Sequence, residues 1–362
     1  MKKIYTTILL LFIFLGFSQP PAGYYAAATG TGYALKTQLK NIISAGYIDR
    51  GYGGLYTTYA TSDVDNFYEN DGSILDMYSE NPTGTDPYNY STGTAQRCGN
   101  YTAEGDCYNR EHIIPQSLFN SASPMVSDAH FITPTDGKVN GLRSNYPHGV
   151  VGTASTTTLN GGKLGAASNA GYAAGYSGTV FEPIDAFKGD IARMYFYFAT
   201  RYENLITTWG NPYGMFNNTS DQVFTPAFKN ILLQWNQNDP VSAREIARNN
   251  AIYARQVNRN PYIDNNAYVA AIWGNALSSA EFELNANIGV YPNPSDNHEI
   301  NIYSSVAIET IDLTNINGQL ILQITKPAFA NNVYKITDLP QGFYLLKLSV
   351  DNQYVTKKLI IN

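Results

Sequence analysis

Two stretches of the chain place apolar residues at the spacing of a helix. In residues 183–204, PIDAFKGDIARMYFYFATRYEN, apolar side chains recur every three or four positions. The residues that carry this pattern are Phe187, Ile191, Met194, Tyr195 and Phe198. The spacing predicts a helix, and aromatic residues placed in this way are typical of a packed core rather than of a ligand site.

A second helix is predicted within residues 239–261, DPVSAREIARNNAIYARQVNRNP. Asp239 is placed to cap the N-terminus, Pro240 suits the first helical position, and Pro261 lies beyond the end. At about 100° per residue, four arginines fall within roughly 60° of one another and form one stripe. They are Arg244, Arg248, Arg255 and Arg259. The stripe can be a nucleic-acid contact that binds phosphates, a solvated helix face, or a set of internal ion pairs, and the pattern leaves all three open.

Residues 152–179 are rich in Gly, Ala, Ser, Thr and Asn and contain few apolar residues. This composition predicts a long surface loop, with one short hairpin around LNGGKLG at 159–165. From about residue 285 the pattern changes to short alternating strands. These are EINIYSS, IETIDLTN, QLILQITK, VYKITDL, GFYLLKLSV and YVTKKLIIN. Turns at Asn317-Gly318, at 340–342 and at Asp351-Asn352 separate several of them, so residues 289–362 are predicted to form a small β-sandwich.

The N-terminus has the features of a secretory signal peptide at residues 1–18. Lys2 and Lys3 precede an apolar run that ends at Phe17, and Gly16 and Ser18 suit a cleavage site after Ser18. The run is too short for a membrane span, and no other stretch approaches the roughly 20 apolar residues that a spanning helix needs. We therefore expect a soluble protein outside the cytoplasm, with its main domain at residues 19–285.

The chain has two cysteines, Cys98 and Cys107, which flank a short segment rich in turn-forming residues. An oxidising compartment favours a local disulfide between them. A metal site is the alternative, but it lacks a second Cys or His pair nearby.

The negative net charge of residues 19–288 argues against nucleic-acid binding over the whole surface. Residues 19–288 contain 16 basic and 23 acidic residues, a net charge of 16 − 23 = −7. Since phosphate binding draws on Lys and Arg, a protein of this kind that acts on nucleic acid needs a local basic patch.

Candidate chemistry is concentrated in residues 109–140, NREHIIPQSLFNSASPMVSDAHFITPTDGKVN. Glu111 and Asn140 offer oxygen atoms that suit a hard cation, and His112 is an imidazole that can act as a base near neutral pH. Adjacent strand residues face opposite ways, so we expect irregular backbone at Glu111-His112, in the form of a bulge, a strand end or a turn, if both serve one site. Residues 138–143 are expected to form a short helix that returns Asn140 toward Glu111.

Each of these residues also has an ordinary interpretation. A His beside a Glu is usually a hydrogen-bonded or surface pair, and an Asn is commonly a cap or turn residue. His130 and Asp128 would share one face of a strand, although a buried histidine held by the aspartate is equally compatible with the pattern. His148 and His298 suggest no role.

Four segments in order resemble the endonuclease I family of secreted bacterial nucleases. They are CGNYTAEGDCYNREHIIPQS, SDAHFITPTDGKVNGLRSNYPHG, FKGDIARMYFYFATRY and RQVNRNPYID. The resemblance runs from about Asp76 to Asp264. It implies an α+β fold in which a mixed helical domain contains a ββα-metal core, also called the His-Me finger. It also implies cleavage of DNA, and often RNA, with little sequence preference.

By this resemblance His112 is the general base, and Glu111 and Asn140 hold one divalent cation. Mg²⁺ is the expected ion, with Ca²⁺ and Mn²⁺ as other candidates, and the expected products carry a 5′ phosphate and a 3′ hydroxyl. Arg143 and Arg259 also match positions shared by the family, as candidates either for nucleic-acid contact or for bracing the fold.

The tail resembles the C-terminal sorting domain of proteins exported by type IX secretion. The matching segments are VYPNPS, NGQL, LPQGFYLLKL and KKLIIN. This resemblance implies passage across an outer membrane, secretion machinery as a partner, and a protein that is released or attached to the cell surface. We expect a monomer.

Two other functions stay open at this point. A secreted carbohydrate hydrolase would need two carboxylates across a cleft, for which Glu182 with Asp185 or Asp63 with Asp65 are available. An inactive nuclease-like surface binding protein is the other alternative, and the presence of the complete trio Glu111, His112 and Asn140 argues against it.

Overall fold

The structure is a computed structural model that describes residues 20–274, 288–350 and 353–362. The predicted signal peptide at 1–18 and the predicted turn at Asp351-Asn352 lie outside the described residues. Backbone contacts divide the chain into two compact units, Met1–Trp273 and Gly274–Asn362. None of the described helices combines the length and the apolar character that crossing a membrane demands.

The first unit is built mainly from helices. They are α1 (Gly32–Ser44), α2 (Gly51–Ser62), α3 (Gly137–Arg143), α4 (Lys188–Arg201), α5 (Glu203–Ile206), α6 (Pro226–Asn238), α7 (Ala243–Gln256), α8 (Pro261–Asp264) and α9 (Ala267–Trp273). Short 3₁₀ turns occur at Gln116–Phe119, Met125–Ser127, Gly171–Ala173, Asp185–Phe187 and Pro212–Gly214.

Helix α4 lies at the centre of this unit and confirms the first predicted helix. Every residue from Gly189 to Arg201 is buried, and α4 packs against α1, α6 and α8. The predicted apolar residues are core residues, including Ile191, Tyr195 and Phe198. A helix buried on all sides needs partners for its polar groups, and α4 supplies them with the buried ion pairs of Arg193 and Arg201.

A two-stranded antiparallel sheet and a helix lie against this core. Strand β1 (Tyr108–His112) pairs with β2 (Ile132–Asp136), and Glu111 lies opposite Thr133. Asp136 then caps α3 by accepting a hydrogen bond from the Val139 backbone N–H at 2.8 Å. The short helix expected near residues 138–143 is therefore confirmed. Of the three arrangements expected at Glu111-His112, the structure has the strand end: β1 ends at His112. A bulge at this pair is wrong, because the β1–β2 register runs unbroken through both residues.

The predicted loop at 152–179 is also mostly wrong. A three-stranded antiparallel sheet occupies much of it, with β3 (Val151–Thr157), β4 (Lys163–Ala167) and β5 (Thr179–Glu182) in the order β3-β4-β5. The hairpin at 159–165 exists as the β3–β4 connection. Most of β3 is exposed, so the small and polar residues of this strand show no apolar alternation.

Helix α7 begins later than predicted. Its cap is Ser242 rather than Asp239, and Ser242 forms a capping box with Glu245. The helix ends at Gln256, with Val257 in the left-handed conformation. Arg259 therefore lies outside the helix and is not part of its stripe.

The second unit confirms the predicted β-sandwich. Its strands are β6 (Ile288–Tyr291), β7 (Ile300–Ser304), β8 (Thr310–Asn315), β9 (Leu320–Thr325), β10 (Val333–Ile336), β11 (Gly342–Val350) and β12 (Gln353–Ile361). They form two antiparallel sheets in the orders β10-β7-β6 and β12-β11-β8-β9. Residues of both sheets, such as Ile302 and Leu346, share one apolar core.

Candidate active site

A polar pocket of about 330 Å³ lies along one edge of β1. We call it the edge pocket. Its lining residues are Tyr52, Tyr56, Cys98, Asn109, Arg110, Glu111, His112, Pro115, Gln116, Asn140, Arg143, Ser144 and Asn145. The structure therefore brings the three residues expected to carry the chemistry, Glu111, His112 and Asn140, to one place.

Both faces of β1 reach this pocket because the strand is at the edge of its sheet. Asn109 and Glu111 face α3, where they contact Asn140 and Arg143. The next residues along the strand, Arg110 and His112, face the other way, toward the ring of Tyr52 in α2. Regular alternation at the end of an edge strand thus brings both residues to one pocket without a bulge.

Glu111 is held in place by two donors. Its side chain is buried, and Tyr78 Oη and Arg143 Nη1 both donate to Oε1, at 2.9 and 2.7 Å. Burial raises the pKa of Glu111, while Arg143 and Tyr78 act in the opposite direction. Because both donors use Oε1, Oε2 remains as the atom that can bind a cation.

Asn140 supplies a second oxygen. Its Nδ2 donates to Asn109 Oδ1 at 2.6 Å, which turns the amide so that Oδ1 is the atom available to a ligand. A carboxylate oxygen and a carboxamide oxygen in a polar pocket form a donor set that suits a hard divalent cation. The residues present therefore fit such an ion.

His112 is arranged as a neutral base. Its Nε2 lies 3.3 Å from the Val126 carbonyl oxygen, and a carbonyl can only accept, so Nε2 carries the hydrogen and Nδ1 carries the lone pair. Burial lowers the pKa of His112 to about 4. The rings of Tyr52, Phe119 and Phe131 surround the imidazole. The imidazole is therefore neutral near pH 7 and can accept a proton at Nδ1.

Arg143 braces the pocket from within. Besides Glu111, it donates to the carbonyl oxygens of His112, Ile113 and Tyr146 at 2.5–2.7 Å. Its side chain is buried. It lines the edge pocket, but these contacts tie the end of α3 to the end of β1, so the structure favours the bracing role over nucleic-acid contact.

A hydrogen-bonded chain behind Glu111 was missed by the sequence analysis. Tyr78 Oη also lies 2.8 Å from His148 Nε2, and His148 Nδ1 lies 3.1 Å from Tyr195 Oη. Burial holds the pKa of His148 well below its usual value, so the ring is neutral. Because Tyr78 donates its hydrogen to Glu111, Nε2 of His148 must be the donor to Tyr78. Tyr78 and His148 are 70 positions apart, and neither stands in a pattern that marks it.

The other two histidines have structural surroundings. His130 is buried, its backbone N–H donates to Asp128 Oδ1, and its Nε2 lies 2.9 Å from the Asn258 carbonyl oxygen. It is therefore a buried histidine held beside an aspartate rather than part of the edge pocket. In the second unit, His298 Nδ1 contacts the Leu339 carbonyl oxygen at 2.9 Å.

The disulfide supports the helix that carries Asn140. Cys98 and Cys107 are bonded, with their Cα atoms 5.0 Å apart, which confirms the predicted pairing. A Cβ atom at Gly137 would collide with Cys98 Sγ, and one at Gly141 would collide with the Tyr101 hydroxyl. The loop that contains the disulfide thus packs closely against α3. A side chain at Gly137 would push into the disulfide, whereas one at Gly141 would require the exposed Tyr101 ring to move.

Comparison with known proteins identifies the family. The family described as Endonuclease I matches residues 31–267, and the family described as Secretion system C-terminal sorting domain matches residues 289–362. An extracellular ribonuclease of Bacillus subtilis is 34% identical over 256 residues, which cover 69% of this chain and 78% of that protein. The chain belongs to the endonuclease I family.

Two further relatives agree with this assignment. An extracellular ribonuclease of Bacillus amyloliquefaciens is 32% identical over 69% of this chain and 78% of its own length. Endonuclease-1 of Buchnera aphidicola is 31% identical over 137 residues, 38% of this chain and 46% of that protein. This endonuclease I family member is thus a nuclease with a C-terminal sorting domain, and it is secreted or held at the cell surface. The family is generally dependent on a divalent metal.

The arginines predicted as a phosphate-binding stripe in this nuclease are engaged in internal contacts. Arg244 pairs with Asp190, and Arg248 pairs with Asp63 at 2.7 Å and donates to the carbonyl oxygens of Ala129 and Ile132. Both arginines are buried. Their guanidinium groups face the core and its carboxylates, which favours internal ion pairs over nucleic-acid contact.

The two remaining arginines also have partners within the fold. Arg259 pairs with Asp264 at 2.7 Å and donates to Asn250 Oδ1. Arg255 is half-buried and donates to Thr58 Oγ1 at 2.9 Å. Within α7, Arg244 and Arg248 thus match the alternative of internal ion pairs, whereas Arg255 bonds a hydroxyl.

The carboxylates considered for a carbohydrate hydrolase have structural partners too. Glu182 and Asp185 both pair with Lys188, each at 2.6 Å. Asp63 forms an ion pair with Arg248, and Asp65 accepts hydrogen bonds from backbone N–H groups of its own loop. Neither pair forms a catalytic dyad, and the family assignment points to nucleic acid.

Proposed function

We propose that this nuclease hydrolyses phosphodiester bonds of DNA, with RNA as a second substrate and with low sequence specificity. In this proposal His112 is the general base, Glu111 and Asn140 hold one Mg²⁺, and the products carry a 5′ phosphate and a 3′ hydroxyl. The observation that supports it most is the convergence of these three side chains in the edge pocket.

His112 supplies the base at a defined atom. With Nε2 committed to the Val126 carbonyl, Nδ1 takes the proton from the attacking water. The aromatic rings around the imidazole restrict its orientation, so the base does not need to be ordered at the moment of reaction.

Glu111 and Asn140 would hold the cation through Oε2 and Oδ1. When bound, the ion neutralises charge that develops on the phosphate and on the leaving 3′ oxygen. The chain's own contribution is to keep both ligands rigid: Tyr78 and Arg143 fix the carboxylate, and Asn109 fixes the amide.

Arg110 is our candidate for gripping the substrate. Its guanidinium lies over the ring of Tyr52, 3.4 Å from the ring centre, and lines the edge pocket. Among the described residues of that pocket, it is the cation that forms no ion pair with a carboxylate. The positive charge of Arg110 would therefore lie on the same face of β1 as a phosphate bound beside His112.

The proposal is tested by cleavage assays on the purified full chain with plasmid DNA and with RNA, in Mg²⁺ and in chelator. His112→Ala should lower turnover by about 10²–10⁴-fold, the usual value of a general base, while the protein stays folded by circular dichroism. His298→Ala, in the second unit, is the matched control and should cleave at the normal rate. Cleavage that persists in chelator would refute the metal, and normal turnover in His112→Ala would place the base elsewhere.

A further inference from the structure

Three carboxylates away from the edge pocket form a compact cluster. Asp65, Glu69 and Glu80 each place one carboxylate oxygen so that all three lie within 4.8 Å of one another. Asp65 and Glu80 are buried and Glu69 is exposed. We call this group the acidic cluster.

Glu80 contributes a buried oxygen without a partner. The residue is only 2% exposed, and its Oε1 has no hydrogen-bond partner among the described residues. Burying a carboxylate oxygen without a partner is costly unless a cation or a donor compensates. Within the described residues, no Lys or Arg forms an ion pair with any member of the acidic cluster. Asp86 adds further negative charge close to Glu80.

The loop fixes Asp65 in place. Oδ1 accepts the backbone N–H groups of Phe67 and Tyr68, and Oδ2 accepts that of Asn70, each at 3.0 Å. The carboxylate is thus held rigid before any ligand arrives. Glu69, on the same loop, is exposed to solvent.

We propose that the acidic cluster binds a divalent cation of the calcium type through Asp65, Glu69 and Glu80. Calcium takes six to eight oxygen ligands at about 2.3–2.6 Å, so oxygens on opposite sides of the ion lie up to roughly 5 Å apart. The three carboxylate oxygens, all within 4.8 Å of one another, are close enough to share one such ion. The all-oxygen ligand set disfavours zinc, which prefers nitrogen and sulfur.

The site would join the loop at 65–73 to a segment that supports the edge pocket. Glu80 ends the segment 76–80, which contains Tyr78, the residue that donates to Glu111, and Asp76, which accepts the Asp136 backbone N–H at 2.8 Å. A cation shared by Glu80 and Asp65 would anchor this segment to the loop at 65–73. Its role would be to stabilise the scaffold, in addition to the catalytic ion of the proposed function.

The test is a calcium titration by calorimetry of the cation-stripped full chain. The background carries Glu111→Gln and Asn140→Ala, so that the edge pocket cannot contribute. We expect one Ca²⁺ per chain and a thermal midpoint that rises with Ca²⁺. Glu69→Gln should weaken binding by at least about tenfold, because one charged ligand is lost. Glu69 is exposed, so this variant should fold, and Glu80→Gln should give a loss at least as large.

Asp71→Asn is the matched control, since Asp71 is an exposed carboxylate on the same loop but is not a member of the cluster. The Asp71→Asn variant should bind Ca²⁺ with unchanged affinity. Absence of binding in the double-variant background would overturn the proposal, as would equal affinity in Glu69→Gln and Asp71→Asn. The readout is binding rather than cleavage, so failure of the proposed nuclease mechanism would not produce either result.

Discussion

Replacing Tyr78 by phenylalanine removes one oxygen atom at the rear of the edge pocket. That oxygen donates to Glu111 Oε1 at 2.9 Å and lies 2.8 Å from His148 Nε2. The ring itself packs against Phe181, with centroids 4.8 Å apart, and phenylalanine keeps this packing. The substitution therefore tests the hydrogen bonds separately from the core.

The size of the effect follows from the two bonds. A hydrogen bond to a charged group contributes about 1.5–3 kcal/mol, which corresponds to roughly 10–100-fold in an equilibrium constant. Loss of a hydrogen-bond partner behind a metal ligand usually costs about 10–100-fold in metal affinity. Arg143 still holds Glu111, so we expect about a tenfold increase in the Mg²⁺ concentration that gives half-maximal cleavage. The unpaired Nε2–H of His148 should lower the free energy of unfolding by about 1–3 kcal/mol.

The assay is cleavage of DNA across a range of Mg²⁺ concentrations, with urea unfolding in parallel. At saturating Mg²⁺ the Tyr78→Phe turnover should approach that of the unaltered protein, because Tyr78 positions a ligand and does not touch the substrate. Tyr176→Phe is the control: Tyr176 donates to the Tyr213 carbonyl oxygen at 2.6 Å, so its loss should affect stability alone. An unchanged Mg²⁺ requirement in Tyr78→Phe would refute the positioning role.

Two further predictions concern the buried charges. Arg248→Ala should lower the free energy of unfolding by about 3–5 kcal/mol, because it leaves Asp63 buried without its ion-pair partner. In urea unfolding, a loss below about 1 kcal/mol would contradict a stabilising role for this ion pair. Burial raises the pKa of Asp128, but Arg201 and the other groups around the carboxyl outweigh it and hold the pKa below the usual 3.8. The carboxylate therefore stabilises the protein above about pH 4, and this stability is lost as pH falls through the lower folded value. Asp128→Asn should give a shallower fall in unfolding free energy between about pH 5 and pH 2, and an equally steep fall would refute this assignment.

Helices and strands that depend on residues close together in the sequence were predictable from it. Helix α4 follows from the spacing of its apolar residues, and α3 agrees with the short helix expected at residues 138–143. The tail strands follow from alternation, because one face of each sheet is buried. The exposed strand β3 has no buried face over most of its length, so nothing in its composition separates it from a loop. Its pairing with β4 becomes visible only in the structure.

The partners of side chains were not predictable in the same way. Periodicity correctly placed Arg244 and Arg248 on one face of α7, but it does not reveal what that face contacts. Their carboxylate partners, Asp190 and Asp63, are 54 and 185 positions away. The chemistry of the edge pocket shows the same limit: the trio could be predicted from its residue types, whereas the support from Tyr78 and His148 depends on contacts across the fold.

The burial of cations bears directly on how an acidic nuclease binds a polyanion. Residues 19–288 carry a net charge of −7 from 16 basic and 23 acidic residues, and many of the basic residues are buried in ion pairs. These are Lys36, Arg143, Arg193, Arg201, Arg244, Arg248 and Arg259. Lys and Arg side chains that are buried in ion pairs do not reach a nucleic acid, so they cannot release its counterions. The attraction for phosphate then falls to the remaining basic residues, of which Arg110 lines the edge pocket, and to the divalent ion that Glu111 and Asn140 are proposed to hold. On this argument the metal would contribute to substrate binding as well as to chemistry.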